Sequence, residues 1–293
     1  MLVTTEWLAG HLADPGLVVV DLRWREDGSG REEYERRHIP GAVFLDWASD
    51  LVDHTDPVAF MLARPEAFAQ AMERCGIGDR TGEVVAYTDR LGSGPFRLWW
   101  ACRAYGHDVV RVLDGGLEKW RAESRAVESG TPPPARSGGR FTPRLDARPI
   151  ARADDVAAAE HEPSVAVFDS RPPEQFRGEA VWFETGPVPA GRDGVARTPR
   201  GDIRAGRVPW ATSVPARMLY REDFTMKAPE ELRALFAEAG VRQADRAITY
   251  CGVGLSASAL AFALELAGVR EVSVYDASWE EWGRDPNRPV IRG

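Results

Sequence analysis

The sequence predicts an α/β fold in which one module, a mostly parallel sheet flanked by helices, is written twice in tandem. Three observations predict it. Short apolar runs suited to buried strands alternate with helical segments along the chain. Four landmarks of the first half recur in the same order in the second, the signature of an internal repeat. Between the halves, Glu128 to Gly139 is rich in Pro and Gly and poor in apolar residues, as linkers are. The division expected is a first domain over 1–130, a linker over 131–145 and a second domain over 146–293.

Each landmark has a physical reading. Val18 to Leu22 is an apolar strand with Asp21 and Arg23 at its end, and Val165 to Arg171 repeats it with Asp169 and Arg171. These acids and arginines are expected to form internal ion pairs that fix loops at strand ends. His38-Ile39-Pro40-Gly41-Ala42 is a turn answered by Arg207-Val208-Pro209-Trp210-Ala211. Pro65 to Gly76, Arg97 to Gly106 and Pro229 to Gly240 read as helices, the first and last opening on proline. Val84 to Tyr87 is a strand answered by Ala247 to Tyr250. Val112-Leu113-Asp114 with Trp120 is answered by Val274-Tyr275-Asp276 with Trp282, at the same spacing of six. Trp99, Trp100, Trp279 and Trp282 are read as packing residues.

Composition bounds the function. A chain of 293 residues is about two domains at ~150 residues each. Hydrophobic content of 44% with 28% charged residues is that of a soluble globular protein. A net charge of −8 gives no footprint for nucleic acid or an anionic membrane, so an anionic substrate must be caught by local arginines. The N-terminal residues have no secretory pattern and no run approaches a membrane span, so a cytoplasmic protein is expected. Three widely separated cysteines suit a reducing compartment. With no Cys-x-x-Cys pair and five scattered histidines, neither metal nor cofactor is expected.

Cys251 is the candidate nucleophile. It stands where the strand Arg246 to Tyr250 runs into Gly252-Val253-Gly254-Leu255-Ser256 and then a helical run, Ala257 to Ala267. The glycines let the loop bend so that backbone N–H groups converge, and the helix end adds partial positive charge, so a thiolate is favoured there. Cys75 and Cys102 sit at helical spacing among apolar residues and read as core. The matching stretch of the first half, Tyr87 to Pro95, is one residue longer and holds no cysteine. Only the second half can run thiol chemistry.

Longer motifs carry a resemblance. REEYERRHIPGAVFLD (Arg31 to Asp46), the Asp53 to Met72 run, VLDGGLEKW (Val112 to Trp120), CGVGLSA (Cys251 to Ala257) and YDASWEEWGRDPNRPV (Tyr275 to Val290) resemble the two-domain rhodanese family of sulfurtransferases, nearest its bacterial 3-mercaptopyruvate branch. The resemblance implies two tandem rhodanese-like domains. It also implies a ping-pong reaction in which the Cys251 thiolate takes a sulfane sulfur from 3-mercaptopyruvate or thiosulfate. The persulfide, held by Gly252, Val253, Gly254, Leu255 and Ser256, then passes its sulfur to a thiol, thioredoxin included, or to cyanide. The family's serine two residues after the cysteine is Val253 here. Its substrate arginine before the Phe/Tyr-x-Gly is Gln175, with Arg177 two residues on, and its second arginine matches Arg200. Arg200 and Arg177 are therefore the expected carboxylate clamps, separated by an insertion over about Ala180 to Thr198 that contains Trp182 and Phe183.

Supporting roles are assigned to His38, which ties a turn or makes a polar contact, and to Asp27, expected to pair with it. Ser256 is read as a loop donor or as the helix N-cap. Two rival functions are weighed, one by a sequence test and one by experiment. A cysteine phosphatase or arsenate reductase needs an arginine six residues after its cysteine, where this chain has Ala257. A non-catalytic binding module or redox sensor on the same fold is distinguished by which adduct Cys251 acquires.

Overall fold

The computed structural model describes residues 1–89, 91–131, 138–183, 186–239 and 246–293. Residues 132–137 of the linker, Arg90 of the first loop and the end of the Pro229 helix read from sequence lie outside them. The described chain forms two compact units. One comprises Met1–His54, Leu62–Asp146 and Tyr220–Met226, and the other Thr55–Met61, Ala147–Leu219 and Lys227–Gly293.

The first unit contains β1 (Leu2–Val3), α1 (Thr5–His11), β2 (Leu17–Asp21), α2 (Gly30–Arg36), β3 (Val43–Phe44), α3 (Trp47–Asp50), α4 (Pro65–Arg74), β4 (Glu83–Tyr87), α5 (Gly94–Ala104), β5 (Val110–Leu113) and α6 (Gly116–Ala122). Its strands form one sheet in the order β1-β5-β4-β2-β3, every pair parallel. The boundaries follow local chemistry. Thr4 caps α1 by accepting the Trp7 N–H at 3.1 Å, and Pro65 opens α4, which buries Phe68, Ala71 and Met72 on one stripe.

The second unit contains β6 (Ile150–Ala151), α7 (Ala153–Ala158), β7 (Val165–Asp169), α8 (Pro173–Phe176), β8 (Ala180–Phe183), β9 (Gly186–Pro189), β10 (Val195–Thr198), β11 (Gly201–Arg204), β12 (Thr212–Ser213), α9 (Pro229–Glu238), β13 (Arg246–Tyr250), α10 (Leu255–Leu266), β14 (Glu271–Tyr275) and α11 (Ser278–Trp282). Its main sheet runs β12-β7-β13-β14-β6, again wholly parallel. Strand β13 lies in the middle with Ala247 to Tyr250 buried, which is why its sequence is a continuous apolar run rather than an alternating one. The insertion contributes β8, β9 and β10 to two antiparallel ladders, β8 with β9 and β10 with β11, the last strand lying just beyond it.

The repeat is visible in hydrogen bonds as well as letters. Asp21 pairs with Arg23 at 2.8 Å, and Asp169 with Arg171 at 2.6 Å. The Tyr87 hydroxyl accepts the Ile39 N–H at 3.1 Å, and the Tyr250 hydroxyl accepts the Val208 N–H at 3.3 Å. Trp120 and Trp282 each donate their indole N–H to a backbone carbonyl, Ala126 and Pro289, and both are buried. Among the described residues no helix is long and apolar enough to cross a membrane.

Candidate active site

Cys251 begins the loop at the carboxyl end of the central strand β13, the place where open parallel sheets bind ligands. Helix α10 follows. Its residues Ala257 to Leu264 are all buried, so the helix is apolar all round and its N-terminus is anchored in the core behind the loop. Gly254 stands at its N-cap position with φ +78, a left-handed conformation that the tight loop requires and a side chain would resist. The helix therefore starts at Leu255. Ser256 is not its N-cap, as sequence alone allowed, because the turn closes two residues earlier. The Ser256 hydroxyl instead lies 2.9 Å from that of Ser170, which donates to the Tyr250 carbonyl.

The loop is clamped from outside by α11. The Ser278 hydroxyl accepts the N–H groups of Cys251 at 3.1 Å and Gly254 at 3.0 Å, and donates to the Tyr275 carbonyl at 2.8 Å. The Trp279 N–H binds the Cys251 carbonyl and the Glu280 N–H binds the Gly252 carbonyl, both at 3.0 Å. The N–H groups of Gly252, Val253, Leu255 and Ser256 donate to no acceptor among the described residues. Four unengaged donors within five residues of one cysteine are available to an anion, and the α10 N-terminus adds its dipole. Cys251 is 3% exposed. Beside the loop stands Trp182 of β8: a Cβ placed on Gly252 would lie 3.5 Å from the Cβ of Trp182. Phe60 meets Trp182 edge-on at 5.7 Å and adopts a left-handed backbone, φ +62.

Beneath the loop lies the Asp169–Arg171 pair, 0% and 1% exposed. Burial works against the Arg171 charge, and the Asp169 carboxylate with Tyr250 outweighs it, so the guanidinium is held above its usual range. Arg171 also donates to the Gly206 carbonyl at 2.7 Å and stacks on Trp279 at 4.2 Å. The ion pair thus supports the residue whose N–H holds the Cys251 carbonyl.

Arg200 approaches the loop through Glu280. Its Nε lies 4.0 Å from the buried Glu280 carboxylate, and its Nη2 donates to the Pro57 carbonyl at 3.0 Å. Arg284 binds the same carboxylate at 2.9 Å. Arg177 is exposed and pairs with Glu179 at 2.6 Å, while Gln175 is buried with its Oε1 unpartnered. His38 belongs to the first unit, where its Nδ1 lies 2.8 Å from the Tyr34 carbonyl and its ring stacks on Tyr34. The expected pairing of Asp27 with His38 does not form. Asp27 is solvent-facing and accepts from the Ser29 N–H and hydroxyl, closing a local turn, and the acid beside His38 Nε2 is Glu128 at 4.0 Å.

Sequence reasoning assigned no role to Ser278 and Glu280, whose stretch served as a repeat landmark, a family motif and a source of packing tryptophans, nor to Phe60, which no periodicity marks. Burial keeps the other two thiols inert: Cys75 is pushed up to about 12, and Cys102 is raised by burial alone.

Comparison with known proteins agrees with this fold. The Rhodanese-like domain family matches residues 4–123 and 152–285. The chain is 34% identical to the 3-mercaptopyruvate sulfurtransferase of Escherichia coli (strain K12), over 98% of this chain and 96% of that protein. It is 35% identical to the human 3-mercaptopyruvate sulfurtransferase, over 96% of this chain and 91% of that one. The crystal structure of the Escherichia coli protein SseA superposes with a TM-score of 0.76 at 32% identity, covering 95% of this chain and 98% of that one.

Proposed function

This chain belongs to the rhodanese family, whose domain fills it twice, and from that premise we propose that Cys251 carries a sulfane sulfur from donor to acceptor as a persulfide. The protein is a sulfurtransferase. The observation that carries the catalytic reading is the thiol at the end of β13, followed by a tight loop in which four backbone N–H donors are unengaged. Such a loop stabilises the attacking thiolate and the outer sulfur of the persulfide by the same electrostatics as an oxyanion hole. The first unit has Thr88 where the second has Cys251, so the second unit does the chemistry.

With 3-mercaptopyruvate, the Cys251 thiolate attacks the donor sulfur, an S–S bond forms and the donor C–S bond breaks. The electron pair leaves on the pyruvate enolate, which takes a proton from water. With thiosulfate the donor S–S bond breaks and sulfite leaves. In the second half-reaction a thiol acceptor as its thiolate, thioredoxin among them, or cyanide attacks the outer persulfide sulfur and releases the Cys251 thiolate. Trp182 beside Gly252 narrows the approach to the loop.

The donor carboxylate is held by Arg200, whose planar guanidinium offers a bidentate fork next to the loop. Arg200→Ala is expected to raise the KM for 3-mercaptopyruvate by roughly thirtyfold, about 2 kcal/mol for a charge-assisted contact. An unchanged KM would move the clamp to Arg177, whose exposed pairing with Glu179 is worth little to stability and leaves it available.

Val253 removes the hydroxyl that would protonate the leaving enolate, and Gly252 offers no cation to draw a dianionic donor. Activity with both donors is therefore expected, 3-mercaptopyruvate ahead in kcat/KM. Val253→Ser should widen that preference by about tenfold, and at most a hundredfold, the reach of general acid help from one hydroxyl. Paired steady-state assays at one pH check it. A wild type that prefers thiosulfate, or a ratio unmoved by the serine, would transfer donor choice to the ladders β8 to β11.

A further inference from the structure

We propose, resting on the reading of Cys251 as the nucleophile, that Ser278 is a positioning residue whose hydroxyl fixes both ends of the Cys251–Gly254 turn and so aims the loop's remaining N–H groups at the sulfur. The hydroxyl is fully engaged: it accepts from Cys251 and Gly254 and donates its one proton to the Tyr275 carbonyl. That proton is unavailable to a leaving group. Ser278 therefore acts through the backbone, not as an acid.

The backbone at Ser278 makes the choice of residue informative. Its φ is +50, in the left-handed region where glycine is comfortable and other residues are strained, and its side chain is wholly buried. The first unit supplies an internal comparison. There Gly116 occupies the matching position, two residues after Asp114 as Ser278 is two after Asp276, with φ +55. The helix that follows docks on its loop in the same way: the Leu117 and Glu118 N–H groups bind the carbonyls of Thr88 and Asp89, as Trp279 and Glu280 bind those of Cys251 and Gly252. A Cβ on Gly116 would come within 2.2 Å of the Thr88 carbonyl. The copy without a thiol thus has the residue the backbone favours, and the copy with the thiol has a hydroxyl despite the strain. What the hydroxyl adds is the tie between the Cys251 and Gly254 N–H groups, which in its absence are buried donors seeking another acceptor.

The test is Ser278→Gly, a substitution for which the first unit already shows a compatible backbone. Cys251 alkylation by iodoacetamide is followed across pH by mass of the Cys251 peptide, alongside kcat/KM, melting temperature and sulfur loading of the wild type. The expected result is a melting temperature above that of Ser278→Ala, because the glycine relieves the left-handed strain, an alkylation profile moved up by about one pH unit, and kcat/KM lowered ten- to a hundredfold. Ser278→Ala, which keeps the strain and loses the hydroxyl, should move the profile equally while melting earlier. If both variants keep the wild-type profile and kcat/KM while wild-type Cys251 loads sulfur, the positioning role is overturned. A wild-type Cys251 that takes up no sulfur speaks instead against the reading of the site.

Discussion

Cys251→Ser leaves no donor-dependent sulfur uptake and no thiocyanate or sulfide formation, whereas Cys75→Ser and Cys102→Ser keep turnover near that of the unaltered protein. A hydroxyl in place of the thiol cannot be ionised by a cradle of backbone N–H groups at neutral pH, and oxygen does not form the persulfide bond. The expected loss is total within the sensitivity of the assay. Cys75 and Cys102 are buried where burial raises the thiol, so neither supplies a competing thiolate. Exchanging either for serine places a hydroxyl in an apolar site, and the expected cost is stability, about 1 kcal/mol each when the hydroxyl finds a backbone carbonyl of its own helix. Steady-state assays with 3-mercaptopyruvate and thiosulfate, with thermal melts of the three variants, separate the two effects. Substantial turnover by Cys251→Ser would end the persulfide reading.

The second large effect is on folding. Asp169→Ala leaves the Arg171 guanidinium buried with the Gly206 carbonyl and two aromatic faces but no counter-charge. Removing one partner of such a pair costs about 3–5 kcal/mol, because the remaining charge has lost its compensation without regaining water. For a unit of this size that is a fall in melting temperature on the order of 10 °C. The double change Asp169→Leu with Arg171→Met should be milder than Asp169→Ala alone, since it removes the orphaned charge as well. Urea unfolding followed by tryptophan fluorescence reports both. A loss under 1 kcal/mol for Asp169→Ala would mean that water reaches Arg171 and that the pair does not support Trp279 and the loop above it.

The sequence carried the fold because its strands are fully buried in parallel sheets, where a run such as Ala247 to Tyr250 has no polar face to blur it. The repeat carried the ion pairs at the ends of β2 and β7, since an acid and an arginine two residues apart after a buried strand have few other partners. The place of Cys251, in the tight turn between β13 and α10, was legible from its glycines. Other parts were not. Ser256 was read as a loop donor or, because serine favours that place, as the cap, but the cap falls at Gly254, where loop closure demands a left-handed backbone. Asp27 was matched to His38 by proximity in sequence, yet its carboxylate closes its own turn with Ser29. Ser278 escaped because a positive φ at serine is set by how α11 docks on the loop, which no pattern of polar and apolar letters encodes. Nor does periodicity place Thr55–Met61, with Phe60, in the unit that holds Trp182.

The most direct measurement is the mass of the Cys251 peptide after the protein is incubated with 3-mercaptopyruvate or thiosulfate, freed of donor and digested without reductant. A gain of one sulfur atom on Cys251, absent from the Cys75 and Cys102 peptides and lost on addition of cyanide or a thiol, is the predicted result. Sulfenic acid or a glutathione adduct on Cys251 with no added sulfur, or sulfur found on either of the other cysteines, would contradict it.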